Sequence, residues 1–337
     1  MTNVLYIGNH LKTQQTNISA ISVLGPLLET EGYAVFYASS KPNKLLRLGD
    51  MLYSVCRYAK RTDVVLIDTY STTNFYYALL VSQLCRLLGL PYIPILHGGA
   101  LPKRLERSPF LSRLIFKHAQ RLVSPSQYLQ DAFTKPTFAP VVYIPNSLSM
   151  GQYRSERKTY TCIRLLWVRS FSNIYNPSLA VNVLKRLQDA GYAAELCMVG
   201  PDTGDGSFQA TQQLAADLAV PVRFTGKLPK ADWLALAHDY NVFLNTTNFD
   251  NMPVSVIEAM AVGLPVVSTD VGGMPYLITD EETGLLVPPD DVVAFENAIV
   301  KLVSDTNGTH AMTERARAMV EGFDWAVVKG KWVAVLR

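Results

Sequence analysis

No apolar run in the 337 residues reaches the eighteen or so positions of a membrane-spanning helix, and the N-terminus shows neither a cationic start nor a signal-cleavage site. A cytoplasmic protein is therefore expected. Cysteine is scarce: Cys56, Cys85, Cys162 and Cys197 are widely spaced in no metal-binding pattern, as befits small buried residues in a reducing compartment. No cluster of His and Asp has ligand spacing either, so no metal is expected. Charged residues make up only 18% and apolar ones 49%, which argues against disorder and supplies material for two buried sheets. The first strand-to-helix turn lacks G-x-G-x-x-G, which leaves a nicotinamide site there without support.

What is present alternates. Apolar runs at VLYIG (4–8), YAVFYAS, DVVLIDT (63–69), YIPILHG, LVSPS and VVYIPNS read as strands, with helices between them near 20–28, 51–60 and 76–88. The polar stretch from Met150 to Thr161 reads as a linker, after which the alternation restarts with IRLLWVRS, AELCMVG, VRFTG, NVFLNT and VVST and helices near 177–191, 209–218, 231–238 and 292–303. The length also exceeds one typical core. An α/β protein of two Rossmann-like domains with parallel sheets is expected: 1–150, 151–322, and a tail 323–337 packing back on the first domain. The loops at the carboxyl ends of the strands should converge on a cleft. Charge divides unevenly, with 15 Lys plus Arg against 7 Asp plus Glu in residues 1–150, or +8, which leaves −5 for the remainder. The basic half suits an anionic partner or surface, or is simply a solvated face.

The stretch from Thr247 to Asp290 holds the densest chemistry. Asp250 lies in a loop before Pro253, and Glu258 sits on the short helix VSVIEAMAV bracketed by Pro253 and Gly263. Gly272 and Gly273 precede a helix start at Pro275, where backbone N–H groups can cradle phosphate. Arg169, at the end of strand LLWV, offers a guanidinium fork for phosphate oxygens. Phosphate binders beside carboxylates that accept from hydroxyls point to a sugar nucleotide. In the first half, His97 precedes Gly98 and Gly99 at a strand end; it can approach a ligand closely, or be a loop histidine satisfied by backbone. The segment KRLERSPFLSRLIFKHAQR (103–121) mixes basic residues with Phe110, Leu111, Leu114, Ile115 and Phe116. It fits a membrane surface or an ordinary surface helix with its apolar side inward.

Taken together, the motifs resemble those of the retaining glycosyltransferases of family 4, which have the GT-B fold. The family's E-x7-E, A-M-A-x-G-x-P-V-V and GG elements are matched by D250-x7-E258, AMAVGLPVVSTDVGG and TGLLVPPDD. Looser matches follow in order along nearly the whole chain: HGG, LVSPSQYLQDAF, VVYIPNS, MVGPDTGDGS, VRFTGKLP and a closing FDW. The resemblance implies that Glu258 binds the ribose hydroxyls of a nucleotide-diphosphate sugar, UDP- or GDP-linked. Asp250 with the backbone of Asn251, Met252 and Pro253 would hold the sugar. Arg169 and the amides of Gly272 and Gly273 would face the diphosphate, and Phe224 to Lys227 would border the base. His97 would reach the sugar near the bond that breaks, and Gly98 and Gly99 would meet a glycan or lipid-linked acceptor on the first domain. The implied enzyme is a metal-independent, retaining glycosyltransferase needing no cofactor, at work in the cytoplasm or at the inner face of the membrane, with no nucleic-acid partner. Three positions depart from the pattern: Asp250 replaces a Glu, Tyr175 replaces a Lys six residues after the Arg, and Tyr276 stands where a Glu often follows GG. They raise the alternative of a sugar-nucleotide-binding protein with weakened transfer. A hydrolase using Asp250 and Glu258 as an acid/base pair is a third reading, disfavoured because the two acids serve different parts of a donor.

Overall fold

The computed structural model describes all residues except Met1, residues 12–18 and Pro136. The polar loop expected after the first strand falls largely on 12–18, outside the described residues. The chain divides into two units, Met1–Ser147 with Trp325–Arg337, and Leu148–Asp324.

The first unit is built on six strands, β1 (Asn3–Ile7), β2 (Ala34–Ala38), β3 (Val64–Thr69), β4 (Tyr92–Leu96), β5 (Leu122–Ser124) and β6 (Val141–Tyr143), all paired in parallel in the order β2-β1-β3-β4-β5-β6. Every residue of β3 and β4 is buried, because helices cover both faces, and the runs read as continuously apolar for that reason. Side chains alternate between the faces. Leu5, Val65 and Leu96 pack under α2 (Lys44–Tyr58), α3 (Thr73–Leu87) and α5 (Pro109–Phe116), while Val4, Leu66 and Ile95 pack under α1 (Ala20–Thr30). The tail forms a helix, α14 (Trp325–Leu336), which buries Val328, Trp332, Val335 and Leu336 on that second face. Burial of four such side chains, at about 2 kcal/mol each, fixes the tail on the first sheet. Glu31 adds a clasp, accepting from Trp325 Nε1 at 3.1 Å and Lys329 Nζ at 3.2 Å.

The second unit repeats the plan with β7 (Ile163–Val168), β8 (Ala194–Val199), β9 (Val222–Gly226), β10 (Val242–Asn245), β11 (Val266–Thr269) and β12 (Leu285–Val287) in the order β12-β11-β10-β7-β8-β9. α7 (Pro177–Asp189), α8 (Ser207–Asp217) and α12 (Val292–Ser304) cover one face; α9 (Lys230–Ala237), α10 (Val254–Ala261) and α13 (Thr306–Glu321) cover the other. The pattern above does not single out β12 or α13. Residues 150–161, polar enough to read as a linker, are instead fastened to this unit. Tyr153 is 2% exposed in its core, and Lys158 Nζ donates to the carbonyls of Ala237 and His238 at 3.3 and 3.0 Å. Two anchored side chains suffice to seat a polar strand of chain on a core.

The segment 103–121 forms α4 (Leu101–Arg107) and α5, with Ile115 and Phe116 buried and only Phe110 turned fully outward. Its apolar side thus packs inward. Among the described residues no helix is long and apolar enough to cross a membrane.

Candidate functional site

Strand order reverses between β7 and β10 in the second sheet, and in doubly wound sheets ligands bind beyond the carboxyl ends of strands at such a point. Arg169 follows β7 directly and Asp250 lies in the loop after β10. The two meet there: Arg169 Nη2 contacts Asp250 Oδ2, while Asp250 Oδ1 accepts the N–H of Asn251 at 2.7 Å. The guanidinium also lies over the ring of Tyr175, 4.1 Å from its centroid. Burial pulls Arg169 below its usual range and Tyr175 acts in the opposite direction. Tyr175 is held in place by its neighbours. Thr246 Oγ1 donates to its carbonyl at 2.9 Å and Asn248 N–H to that of Ile174 at 2.8 Å, stitching the loop after β7 to the loop after β10.

Gly272 and Gly273, in the loop after β11, serve close approach. A Cβ on Gly273 would fall 1.8 Å from the Asn251 carbonyl, and one on Gly272, whose φ is +57°, would fall 2.3 Å from that of Asp250. The Gly273 N–H donates to the Asp250 carbonyl at 2.9 Å. This amide, expected to face phosphate, is therefore spent on positioning Asp250, because the two loops touch there. The helix expected after it, α11 (Met274–Leu277), is a single turn.

Glu258, in the second turn of α10, is buried but not alone. Its Oε1 accepts from Tyr153 Oη at 2.9 Å and pairs with Lys230 Nζ at 2.8 Å, with the ammonium also 5.0 Å from the Tyr153 ring centroid. Burial first, and then the carboxylate, push the Tyr153 phenol well above its ordinary range. It stays a neutral donor. Lys230 and Tyr153 escape a reading of the sequence because one opens a helix and the other sits in a stretch that looks like linker. Asn251, Met252 and Pro253 are buried and set the approach to α10. Phe224 is engaged in an aromatic cluster, 6.0 Å from Phe171 and 5.8 Å from Phe208 between ring centroids, whereas Lys227 is exposed.

In the first unit, order reverses between β1 and β3, and the corresponding strand ends carry Gly8, Asp68 and His97. His97 Nε2 lies 2.9 Å from Asp68 Oδ1, which also accepts from Tyr6 Oη at 3.0 Å. The ring stacks on Tyr70 at 5.3 Å. Its side-chain partner is thus a buried carboxylate rather than backbone, and the contact fixes the orientation of the ring. Gly8 leaves the room this requires, since a Cβ there would sit 2.5 Å from Asp68 Oδ2. Gly98 is likewise pressed on the neighbouring loop, where a Cβ would lie 2.7 Å from the Ser71 nitrogen; Gly99 is half-exposed beside it. Asp68 is legible in retrospect as the acid in an otherwise apolar strand, a residue type seldom buried without a partner.

Residues 162–305 match the family model described as glycosyl transferases group 1. Curated relatives include a D-inositol 3-phosphate glycosyltransferase of Kribbella flavida, 29% identical over 47% of this chain and 38% of its own length. A glycogen synthase of Mycobacterium tuberculosis is 22% identical over 68% of this chain and 56% of its own. The chain thus spans well under two thirds of these relatives. Among solved structures, sucrose-phosphate synthase from Thermosynechococcus elongatus aligns over 99% of this chain and 98% of its own with a TM-score of 0.84 at 17% identity. Anabaena HepE in complex with UDP-glucose aligns over 100% and 99% with a TM-score of 0.78 at 17% identity. Residues 162–305 are thus similar to the glycosyl transferases group 1 family, and the chain has the GT-B fold.

Proposed function

We propose that the chain transfers a sugar from a nucleotide-diphosphate donor to a hydroxyl of a glycan or lipid-linked acceptor, with retention at the anomeric carbon. The observation that carries this reading is the set of paired groups in the matched domain, Arg169 with Asp250 and Glu258 with Lys230. One cation–carboxylate pair suits a diphosphate and the sugar attached to it; the other suits ribose hydroxyls. HepE is described with UDP and with UDP-glucose, which supports a UDP-linked donor over a GDP-linked one.

In the proposed step the bond between the anomeric carbon and the diphosphate oxygen breaks as the acceptor oxygen attacks the same face. The acceptor's proton passes to the departing diphosphate, so no protein nucleophile is consumed. Arg169 stabilises the charge that builds on the leaving group, which is where preorganised cations contribute most. Glu258 holds the ribose, and Asp250 accepts from the donor sugar. His97, its ring fixed by Asp68, is assigned to the transferred sugar, and the acceptor to the first unit near Gly98 and Gly99. The reaction as written calls on no metal.

Tyr175 favours a second reading, a binder with weak transfer, because an aromatic ring occupies the place of a phosphate-neutralising Lys. Incubation with UDP-, GDP- and ADP-sugars, with and without candidate acceptors, separates the two. Acceptor-dependent release of nucleotide supports transfer; tight binding without turnover supports the binder.

A further inference from the structure

The outer surface of the first unit's helical layer is both apolar and basic. α2, α3 and α5 lie side by side over one face of the sheet, joined by Tyr77 Oη donating to the Lys44 carbonyl at 3.0 Å and Gln83 Nε2 to that of Leu114 at 3.1 Å. Their inward sides bury Met51, Val55, Ala78, Val81, Ile115 and Phe116. Their outward sides do not turn polar, as a solvated helix face would. Leu45 is 81% exposed, Leu46 66%, Leu87 81% and Phe110 71%, with Tyr53, Tyr76 and Leu80 exposed between them. Helical spacing puts Leu46 and Tyr53 on one stripe of α2, and Tyr76, Leu80 and Leu87 on one stripe of α3.

Charge on the same surface has one sign. Lys44, Arg57, Lys60, Arg61, Arg86 and Arg113 are exposed on or directly after these helices. The single acid across α2, α3, α5 and the turn Ala59–Arg61 is Asp50, which is occupied in accepting from Ser39 Oγ. Exposed leucines set among cations and free of acids match an anionic lipid surface, where aliphatic side chains enter the acyl boundary and Lys and Arg meet the headgroups. A second copy is a poorer occupant. A two-fold contact through this face would set the cations of one copy against those of the other.

We propose that the outer face of α2, α3 and α5 docks peripherally on an anionic bilayer, with Leu45, Leu46, Leu87 and Phe110 inserting and Lys44, Arg57, Lys60 and Arg61 at the headgroups. The surface is built to do so whether or not the chain transfers sugar. It also narrows the membrane contact considered for 103–121 to the outward side of α5 at Phe110, because the remaining apolar side of that segment packs inward, and extends it to α2 and α3.

Co-sedimentation of the full chain with phosphatidylcholine vesicles, with and without phosphatidylglycerol, tests it. Binding is expected only to the mixed vesicles, falling as salt is raised. Arg57→Gln with Lys60→Gln should lower the partition roughly 25-fold, at about fivefold per charge. Leu45→Gln with Leu46→Gln should lower it by about tenfold per leucine. All four positions are exposed, so thermal melting should be unchanged, and Val293→Gln, an exposed site on the second unit, should bind as wild type does. Failure of the wild type to sediment with mixed vesicles overturns the proposal, as does equal binding by all variants or equal loss with Val293→Gln. A lipid-free dimer abolished by the leucine pair would assign the face to a second copy instead, which also overturns it.

Discussion

Arg169 and Asp250 form an ion pair at the carboxyl ends of β7 and β10, with side chains 13% and 16% exposed. Asp250 therefore orients the guanidinium, and Tyr175 stacked on it takes up space where a second cation would otherwise stand. Removing either charge strands the other in a largely desolvated place. Arg169→Ala and Asp250→Ala should each destabilise the second unit by about 3 kcal/mol, and the double variant by clearly less than the sum. Urea melts of the four proteins measure the coupling; strict additivity would show that the pair does not act as a unit.

Tyr175 offers a sharper test of the proposed phosphate site. Tyr175→Phe keeps the ring and should leave stability and UDP affinity within about twofold, as a cation–π contact requires only the face. Tyr175→Lys sets a second cation against Arg169 and should lower stability without ligand by about 1 kcal/mol, a deficit that UDP restores by supplying its diphosphate. If UDP stabilised Tyr175→Lys no more than wild type, the phosphates would have to bind elsewhere.

For Glu258, the choice of ligand discriminates. Glu258→Gln should weaken UDP binding by about 1.5–3 kcal/mol, the range for hydrogen bonds to a charged acceptor. Inorganic pyrophosphate has no ribose, and its affinity should not change. Calorimetry with both ligands checks this, and equal losses would remove the ribose assignment.

Asp68 and His97 are expected to act through one ring. Asp68→Asn should cut kcat by roughly 10- to 100-fold while KM stays within about twofold, because it disturbs the tautomer and orientation of His97 rather than donor binding. Adding Asp68→Asn to His97→Ala should cost nothing more in kcat. A further drop in the double variant would give Asp68 a role of its own.

The alkaline limit of the first unit has a specific source in Cys85. Burial pushes its thiol up to about 12, and burial likewise raises the phenols of Tyr6 and Tyr70. A folded-state pKa raised above the unfolded one supplies stability that is complete below the unfolded value, near 9 for the thiol, and is lost as pH climbs toward the folded value. Cys85 should therefore cost about 2 kcal/mol of stability by a pH of about 10.5. Cys85→Ala should flatten the decline of melting temperature between about pH 9 and 10.5. An unchanged slope would place the loss on the tyrosines.

Much of this protein is legible in the order of its residues, since local periodicity reflects local burial. VVLIDT and YIPIL read as strands, and every residue of both is buried, while Pro253 and Gly263 bracket the helix that carries Glu258. The family motifs led to the same loops. Partners were another matter. Arg169 meets Asp250 because β7 lies beside β10, Lys230 meets Glu258 because α9 and α10 cover one face, and Asp68 meets His97 because β3 and β4 are neighbours. Strand order is settled by which faces can be buried together, a property of the whole sheet and invisible in any window of sequence. The same holds for Gly273, whose amide looked free for phosphate until the loop of Asp250 was found against it. Sequence alone determined which groups stand at the strand ends; tertiary structure decided which of them are already paired, because contact between loops depends on the sheet that aligns them.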